Sequence, residues 1–278
     1  MHKSTRINHN RSEQKMKSPL KFSREMLLFF ARISELTYLN PDDAKPRFDE
    51  MGLNIEAFYN IKGAQAYIVS NNTSYVLSFR GTEISEKTDI LADLKAGKNK
   101  AEAGGKVHSG FHSELDKIWS LISADLANKF ADKRLFITGH SLGAGMATIA
   151  TSRLLQTAKY WGTAVDASKL TLVTFGSPRV GNKTFVKQID ASNIVDHYRV
   201  QNCNDVVTKV PTVFIGYRHC GEHIYLNYNG NIKNFSTWQI IKDNFRARNR
   251  AWRKMQFFAG LYDHMISEYI QKLQQDTE

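Results

Sequence analysis

The pentapeptide Gly139-His140-Ser141-Leu142-Gly143 sets a serine hydroxyl between two glycines, one two residues before it and one two residues after. The apolar run Leu135-Phe136-Ile137-Thr138 precedes it and reads as a strand, while Ala144-Gly145-Met146-Ala147-Thr148 follows and reads as a helix. A serine nucleophile needs a strand-to-helix turn sharp enough to lift its hydroxyl out of the sheet, and small flanking residues let the backbone close up around it. The N-terminus of the following helix would aim backbone N–H groups at the place where an oxyanion forms. A tight turn without chemistry is the plainer alternative, less favoured in this strand–turn–helix context, and the partners have to decide between the two.

A serine of this type works with an acid and then a histidine, in that chain order. Asp205 lies in Asn202-Cys203-Asn204-Asp205-Val206-Val207, just after the strand-like residues 196–201. Loops at the C-terminal ends of strands are where sites form in open parallel sheets. An aspartate there would hold an imidazole in one tautomer and stabilise its charged form. The plainer alternative is a cap or turn former. Three histidines follow, His219, His223 and His264. His264, just after Gly260 and at the start of a helix expected to be capped by Asp263, is favoured because a loop-to-helix position can turn its ring toward Ser141. His219 remains the alternative. With His223 it falls in the strand-like stretch 217–225, where a ring more often packs than reacts.

These groups need a scaffold, and the composition allows one. The chain has 278 residues, of which 42% are hydrophobic and 11% aromatic, enough to bury a sizeable core and to exclude global disorder. Two cysteines make no disulfide framework; Cys203 and Cys220 could pair in the fold, with reduced thiols the default expectation. The longest apolar run, Met26 to Ala31, is far short of a bilayer span and too short and too deep for a secretory signal.

Along the chain, Ser23 is the expected cap of a helix through Met26, Leu27, Phe30, Ile33 and Leu36, ended by Asn40-Pro41. Strands are expected over Ala66–Ser70 and Tyr75–Phe79 around the turn Asn71-Asn72. From about residue 114 helices and strands alternate: helix 114–129, strand 135–138, helix 142–159, strand 170–175, a polar helix, strand 197–200. That alternation predicts an α/β fold with a mostly parallel central sheet and helices on both faces. No repeat or linker divides it, so the expectation is one domain over residues 21–278 behind a flexible basic tail at 1–20.

Taken together, the pieces resemble the class 3 lipases, the Rhizomucor-type fungal lipase-like family of α/β-hydrolases. The resemblance rests on Phe79-Arg80-Gly81-Thr82, Val107-His108-Ser109-Gly110-Phe111, Gly139 to Gly143, Thr174-Phe175-Gly176-Ser177-Pro178-Arg179-Val180-Gly181-Asn182, Asn204-Asp205-Val206-Val207, and Asp263-His264 with Tyr269. They stand in the family's order and span roughly residues 60–270. The chain departs from the pattern at Thr208, where a proline is usual, and residues 1–20 have no counterpart.

The resemblance implies Ser141 as nucleophile, Asp205 as acid and His264 as general base. It implies an oxyanion hole from the backbone N–H groups of Leu142 and Thr82, the Thr82 hydroxyl assisting. It implies a carboxylic ester hydrolase acting on lipid esters, with acylglycerols first and phospholipids (A1-type cleavage) as the alternative. It also implies a short lid between Thr82 and His108, for which Thr88 to Leu94 offers a helix with Ile90, Leu91 and Leu94 on one side. The reading from a different class is a catalytically silent lipid-binding protein of the same fold.

Charge bears on partners. The net charge is +11, and most of it sits in residues 1–25 and 242–256, at +5 each. Within the second segment's surroundings, Ile241, Phe245, Trp252, Met255 and Ala259 fall on one helical face, and Lys242, Arg246, Arg250 and Arg253 on another. Such a helix either packs on the body or lies on an anionic surface. A membrane or lipid-droplet surface is therefore the expected partner beside the lipid ester substrate. Nucleic acid is disfavoured, because no recognised binding motif accompanies the charge. No metal or cofactor is expected: His108 and His112 lack the Glu of a His-Glu-x-x-His pair, and His219 and His223 would stand about 13 Å apart on a strand. The expected location is the cytoplasm or outside it by a route without a cleavable signal, at a lipid surface.

Overall fold

Ser23 does cap the first helix. In the computed structural model, which describes residues 23–81, 97–129, 133–160, 167–192, 194, 196–232, 239–240, 242–243 and 259–275, its hydroxyl accepts the Met26 N–H at the head of α1 (Arg24–Leu36). The expected tail 1–20, the lid helix 88–94 and almost all of the basic segment 242–256 lie outside the described residues. Asn40-Pro41 does more than follow α1. The Asn40 carboxamide accepts the Asp43 N–H and Pro41 takes the first turn of α2 (Pro41–Glu50), where a missing N–H costs nothing.

Then come β1 (Asn54–Ile61), β2 (Ala64–Ser70) and β3 (Ser74–Phe79), each antiparallel to the next. β1 is an edge strand with a largely exposed pattern, so it carries little of the alternation that marks a strand in sequence. β4 (Lys98–Lys100) and β5 (Lys106–His108) lead into α3 (Ser109–Lys129), which starts five residues before the sequence pattern predicts. Next are β6 (Arg134–His140), α4 (Leu142–Tyr160), β7 (Leu170–Phe175), β8 (Gly181–Asn182), α5 (Lys183–Asp190) and β9 (Asp196–Asn202). β10 (Tyr217–Arg218), β11 (Glu222–Leu226), α6 (Ala259–Tyr262) and α7 (Ile266–Gln274) complete the described elements.

The main sheet runs β1-β2-β3-β6-β7-β9-β11, parallel from β3 onward. Both faces are covered. On one, Ile68, Leu77, Ile137 and Leu172 meet Leu115, Ile122, Met146 and Ile149 of α3 and α4. On the other, Tyr67, Val69, Val173 and Val200 meet Leu27, Phe30, Phe48 and Leu273 of α1, α2 and α7. Strands buried on both sides must be apolar at nearly every position, which is why β6 and β7 read as continuous runs. A small second sheet, β10-β8-β5-β4, lies apart from it in pairing. Among the described residues no helix is long and apolar enough to cross a membrane.

Register aligns the functional ends. Phe79 pairs with Gly139, His140 with Phe175, and Phe175 with Val200. Gly81, Ser141, Gly176 and Asp205 therefore all leave the sheet at the carboxyl edge of parallel strands.

Candidate active site

Ser141 occupies the turn between β6 and α4 with φ of +60°, a left-handed conformation unusual for a residue with a side chain. Neighbouring backbone leaves no room for anything larger at the flanking glycines. A Cβ on Gly143 would collide with the Phe79 carbonyl oxygen, and one on Gly139 would stand 2.6 Å from the Gly143 carbonyl carbon. The Ser141 N–H is fixed by the Phe175 carbonyl at 3.0 Å. The strained serine thus sits where the elbow packs against the ends of β3 and β7.

Three side chains meet there in line. The Ser141 hydroxyl is 2.8 Å from His264 Nε2, and His264 Nδ1 is 2.9 Å from Asp205 Oδ2. With the carboxylate accepting from Nδ1–H, Nε2 is left as the acceptor for the serine proton. Asp205 accepts two further bonds, from the Tyr269 hydroxyl at 2.6 Å and the Val207 N–H at 2.9 Å. Burial alone would raise the Asp205 carboxyl, but His264 and the Tyr269 hydroxyl together hold it below the ordinary carboxylate value. Burial and the neighbouring Asp205 push the Tyr269 phenol well above its ordinary value, so it stays a donor. Ser141 is 1% exposed and Asp205 and His264 are 0% exposed, so the group is closed to solvent.

His264 does not head a helix capped by Asp263, as its neighbours in sequence suggest. It stands in the turn between α6 and α7, and Met265 occupies the N-cap position of α7 without a side-chain cap. The Asp263 carboxylate instead accepts the Asn204 N–H at 3.2 Å, and the Asn202 carboxamide donates to the Asp263 carbonyl at 2.9 Å. These bonds tie the histidine turn to the loop carrying Asp205. A half-buried position raises the Asp263 carboxyl to about 6.

His140 and Tyr38 form a second support that the motif alone does not announce. His140 Nε2–H donates to the His264 carbonyl at 2.7 Å, and its Nδ1 accepts the Tyr38 hydroxyl at 2.9 Å. The two imidazoles lie with centroids 4.6 Å apart. Burial and the adjacent His264 drive His140 down to about 3, so it is a neutral spacer and not a second base. Tyr38 has no signal in sequence, because it follows α1 by two residues and reaches the site only through the packing of that helix. Gly176 has a clearer cause: with φ of +57°, it lies so close that a Cβ would sit 2.8 Å from the His264 ring.

His219, the alternative histidine, is elsewhere. Its Nε2 is 2.8 Å from the Thr208 carbonyl and it makes no contact with Ser141, while His223 Nε2 pairs with the Gln201 carboxamide. Thr208, in the place of the usual proline, donates its hydroxyl to the Asp205 carbonyl at 2.8 Å and so closes the loop behind the acid. Leu142 opens α4, where an N–H has no acceptor within the helix. Thr82 lies outside the described residues, but Gly81 before it abuts the elbow: its Cβ would come 3.1 Å from Ser141 Cβ. Cys203 and Cys220 are buried free thiols, each raised to about 12 chiefly by burial. Glu102, His112 and Asp116 cluster with ligand-like spacing, but the Arg153 guanidinium already lies 2.7 Å from Glu102 and 2.5 Å from Asp116.

A strained serine at a strand-to-helix elbow, a histidine and a buried carboxylate on a parallel sheet define an α/β-hydrolase fold with a serine-hydrolase constellation. Residues 76–215, half of the sequence, match the family model Lipase (class 3), and the chain belongs to that family. It is 30% identical over 172 residues to a secreted mono- and diacylglycerol lipase of Fusarium solani, covering 59% of this chain and 48% of that one. It is 35% identical over 160 residues to the chloroplastic phospholipase A(1) DAD1 of Arabidopsis thaliana, covering 50% of this chain and 34% of that one. The chain thus spans about half or less of the length of these relatives. Among solved structures, the native Rhizomucor miehei lipase propeptide complex matches with TM-score 0.67 at 24% identity, covering 76% of this chain and 71% of that one. A fungal lipase–inhibitor complex matches with TM-score 0.69 at 22% identity, covering 87% and 92%.

Proposed function

We propose that the protein hydrolyses carboxylic esters of lipids, acylglycerols before others, with Ser141 as nucleophile, His264 as general base and Asp205 as the acid that orients it. The observation that carries the reading is the continuous hydrogen-bonded line from the Ser141 hydroxyl through His264 to Asp205. His264 Nε2 takes the serine proton as Oγ attacks the ester carbonyl. The resulting oxyanion faces the Leu142 N–H, with Thr82 as the second donor. The imidazolium returns the proton to the departing alcohol, and water activated by the same ring then cleaves the acyl-enzyme.

Action at a lipid surface follows from the family resemblance, in which a segment between Thr82 and His108 covers the site and moves before an ester enters. The segment 82–96 is where such a cover is expected. A phospholipid substrate is the second reading, favoured by the net charge of +11 and by the 35% identity to a phospholipase A(1). Turnover of triacylglycerol, monoacylglycerol, phosphatidylglycerol and phosphatidylcholine by wild type, Ser141→Ala and His264→Ala decides among these. The reading expects both variants to lose on the order of 10⁶ in kcat on whichever ester the wild type prefers. Full turnover by either variant would sink the assignment, and no turnover by wild type on any ester would favour the silent lipid-binding alternative.

A further inference from the structure

The loop that begins at Asp205 ends in a short turn, Val213–Ile215, whose three side chains are all apolar and all exposed. Phe214 is 95% exposed, Ile215 50% and Val213 40%. Single apolar residues on a surface are ordinary, but three in succession, one of them a phenylalanine almost without contact, mark a place that something else covers.

The turn is also held in place by cations. Arg218 Nη1 donates to the Val213 carbonyl at 2.8 Å and Lys98 Nζ to the Ile215 carbonyl at 2.5 Å. Arg179 Nη1 donates to the Pro211 carbonyl at 3.0 Å and also to the Lys209 carbonyl. Lys98 further lies 4.7 Å above the Tyr217 ring, and Gly216 closes the turn at φ of +85°. Lys98 and Arg218 are exposed beside the turn, and Lys209, also exposed, precedes it in the loop with its ammonium on the Asn204 carboxamide oxygen. Between the buried Asp205 and Glu222 the chain contains no acidic residue.

We infer that Val213–Ile215 is a preformed anchor that inserts into an anionic lipid surface, with Phe214 as the wedge and Lys98, Lys209 and Arg218 meeting the headgroups. An aromatic tip on a cationic base has the sign and polarity of such a surface, apolar within and negative at the boundary. A second copy of this chain fits worse, because it would bring the same cations and a net charge of +11 against them. The hydrogen bonds to the turn's backbone mean that little order has to be gained on insertion. Because the anchor shares its loop with the proposed catalytic acid, whose Oδ1 accepts the Val207 N–H, insertion would bring the carboxyl edge of the sheet to the lipid. The inference takes its lipid partner from the lipid-ester reading and is tested apart from it.

The test measures partition onto vesicles of phosphatidylglycerol with phosphatidylcholine, and of phosphatidylcholine alone, in a Ser141→Ala background that cannot consume the lipid. Adding Phe214→Ser should lower partition roughly 10- to 100-fold, the loss expected for one phenylalanine left in water. Lys209→Gln should weaken binding to the anionic vesicles only, with the difference vanishing at high salt. Phe214→Trp should retain partition, and the added emission should shift to the blue on vesicles. Partition of Phe214→Ser within twofold of its parent, or no blue shift from Phe214→Trp, overturns the anchor. So does self-association at micromolar concentration that Phe214→Ser abolishes. Hydrolysis of a soluble short-chain ester, compared between wild type and Phe214→Ser with Ser141 intact, should be the same. A wild type inactive on that ester removes the catalytic reading and leaves the vesicle result standing.

Discussion

Replacing Tyr38 with phenylalanine removes one hydroxyl and keeps the ring. That hydroxyl is the partner of His140 Nδ1, at 2.9 Å in a site where His140 is 1% exposed. Without it, a buried acceptor loses its donor, which costs about 1–3 kcal/mol. The imidazole could escape by moving its proton to Nδ1, but Nε2 would then face the His264 carbonyl 2.7 Å away as one acceptor against another. Either route destabilises, and either route loosens the bond that fixes the His264 backbone. Thermal unfolding should shift down by about 2–4 °C for each kcal/mol lost. Because a displacement near 1 Å in a reacting group can cost on the order of 10²-fold, kcat on a soluble ester should fall by about 10- to 100-fold with KM little changed. A lowered melting temperature with kcat within twofold of wild type would refute the positioning role and leave Tyr38 as a packing residue.

Gly143→Ala should fail to give a native elbow, because its Cβ meets the Phe79 carbonyl oxygen. The expected loss is at or above the roughly 1–3 kcal/mol typical of overpacking, and a melting curve like that of wild type would contradict it. Asp263 has a folded-state value of about 6 against an ordinary 3.8. Between those values the folded state keeps a proton that the unfolded chain has released, so its contribution to stability declines as pH rises from about 4 to 6 and stays low above. Asp263→Asn should remove that decline, and melting curves of variant and wild type that run parallel from pH 4 to 7.5 would exclude the effect.

The elbow was legible because its chemistry is local. Gly139 and Gly143 are demanded by contacts within one turn and with the strands beside it, and apolar runs at β6 and β7 follow from burial on both faces. The order Ser141, Asp205, His264 was legible for a similar reason: loops at strand ends can be placed once the alternation of helix and strand is seen. β1 was not, since an exposed edge strand has no apolar face to show. The expected capping role of Asp263 was wrong because its carboxylate is claimed by Asn204, 59 positions away, before it can cap a helix.

Sequence by itself therefore determined which groups the protein has for chemistry, the fold class that carries them, and the order in which they enter the site. Local pattern favoured His264 over His219 and the family resemblance named it. Only the tertiary structure supplied the distance, 2.8 Å from His264 Nε2 to the Ser141 hydroxyl, since nothing in a histidine's neighbours measures it. The tertiary structure alone brought Tyr38 to His140, 102 positions away, and set Phe214 in open solvent. Contacts of that kind depend on how α1 packs under the sheet and how the 205–216 loop is pinned by Lys98, Arg179 and Arg218. Short-range preferences of the chain do not encode them, since their energy appears only when distant segments have already met.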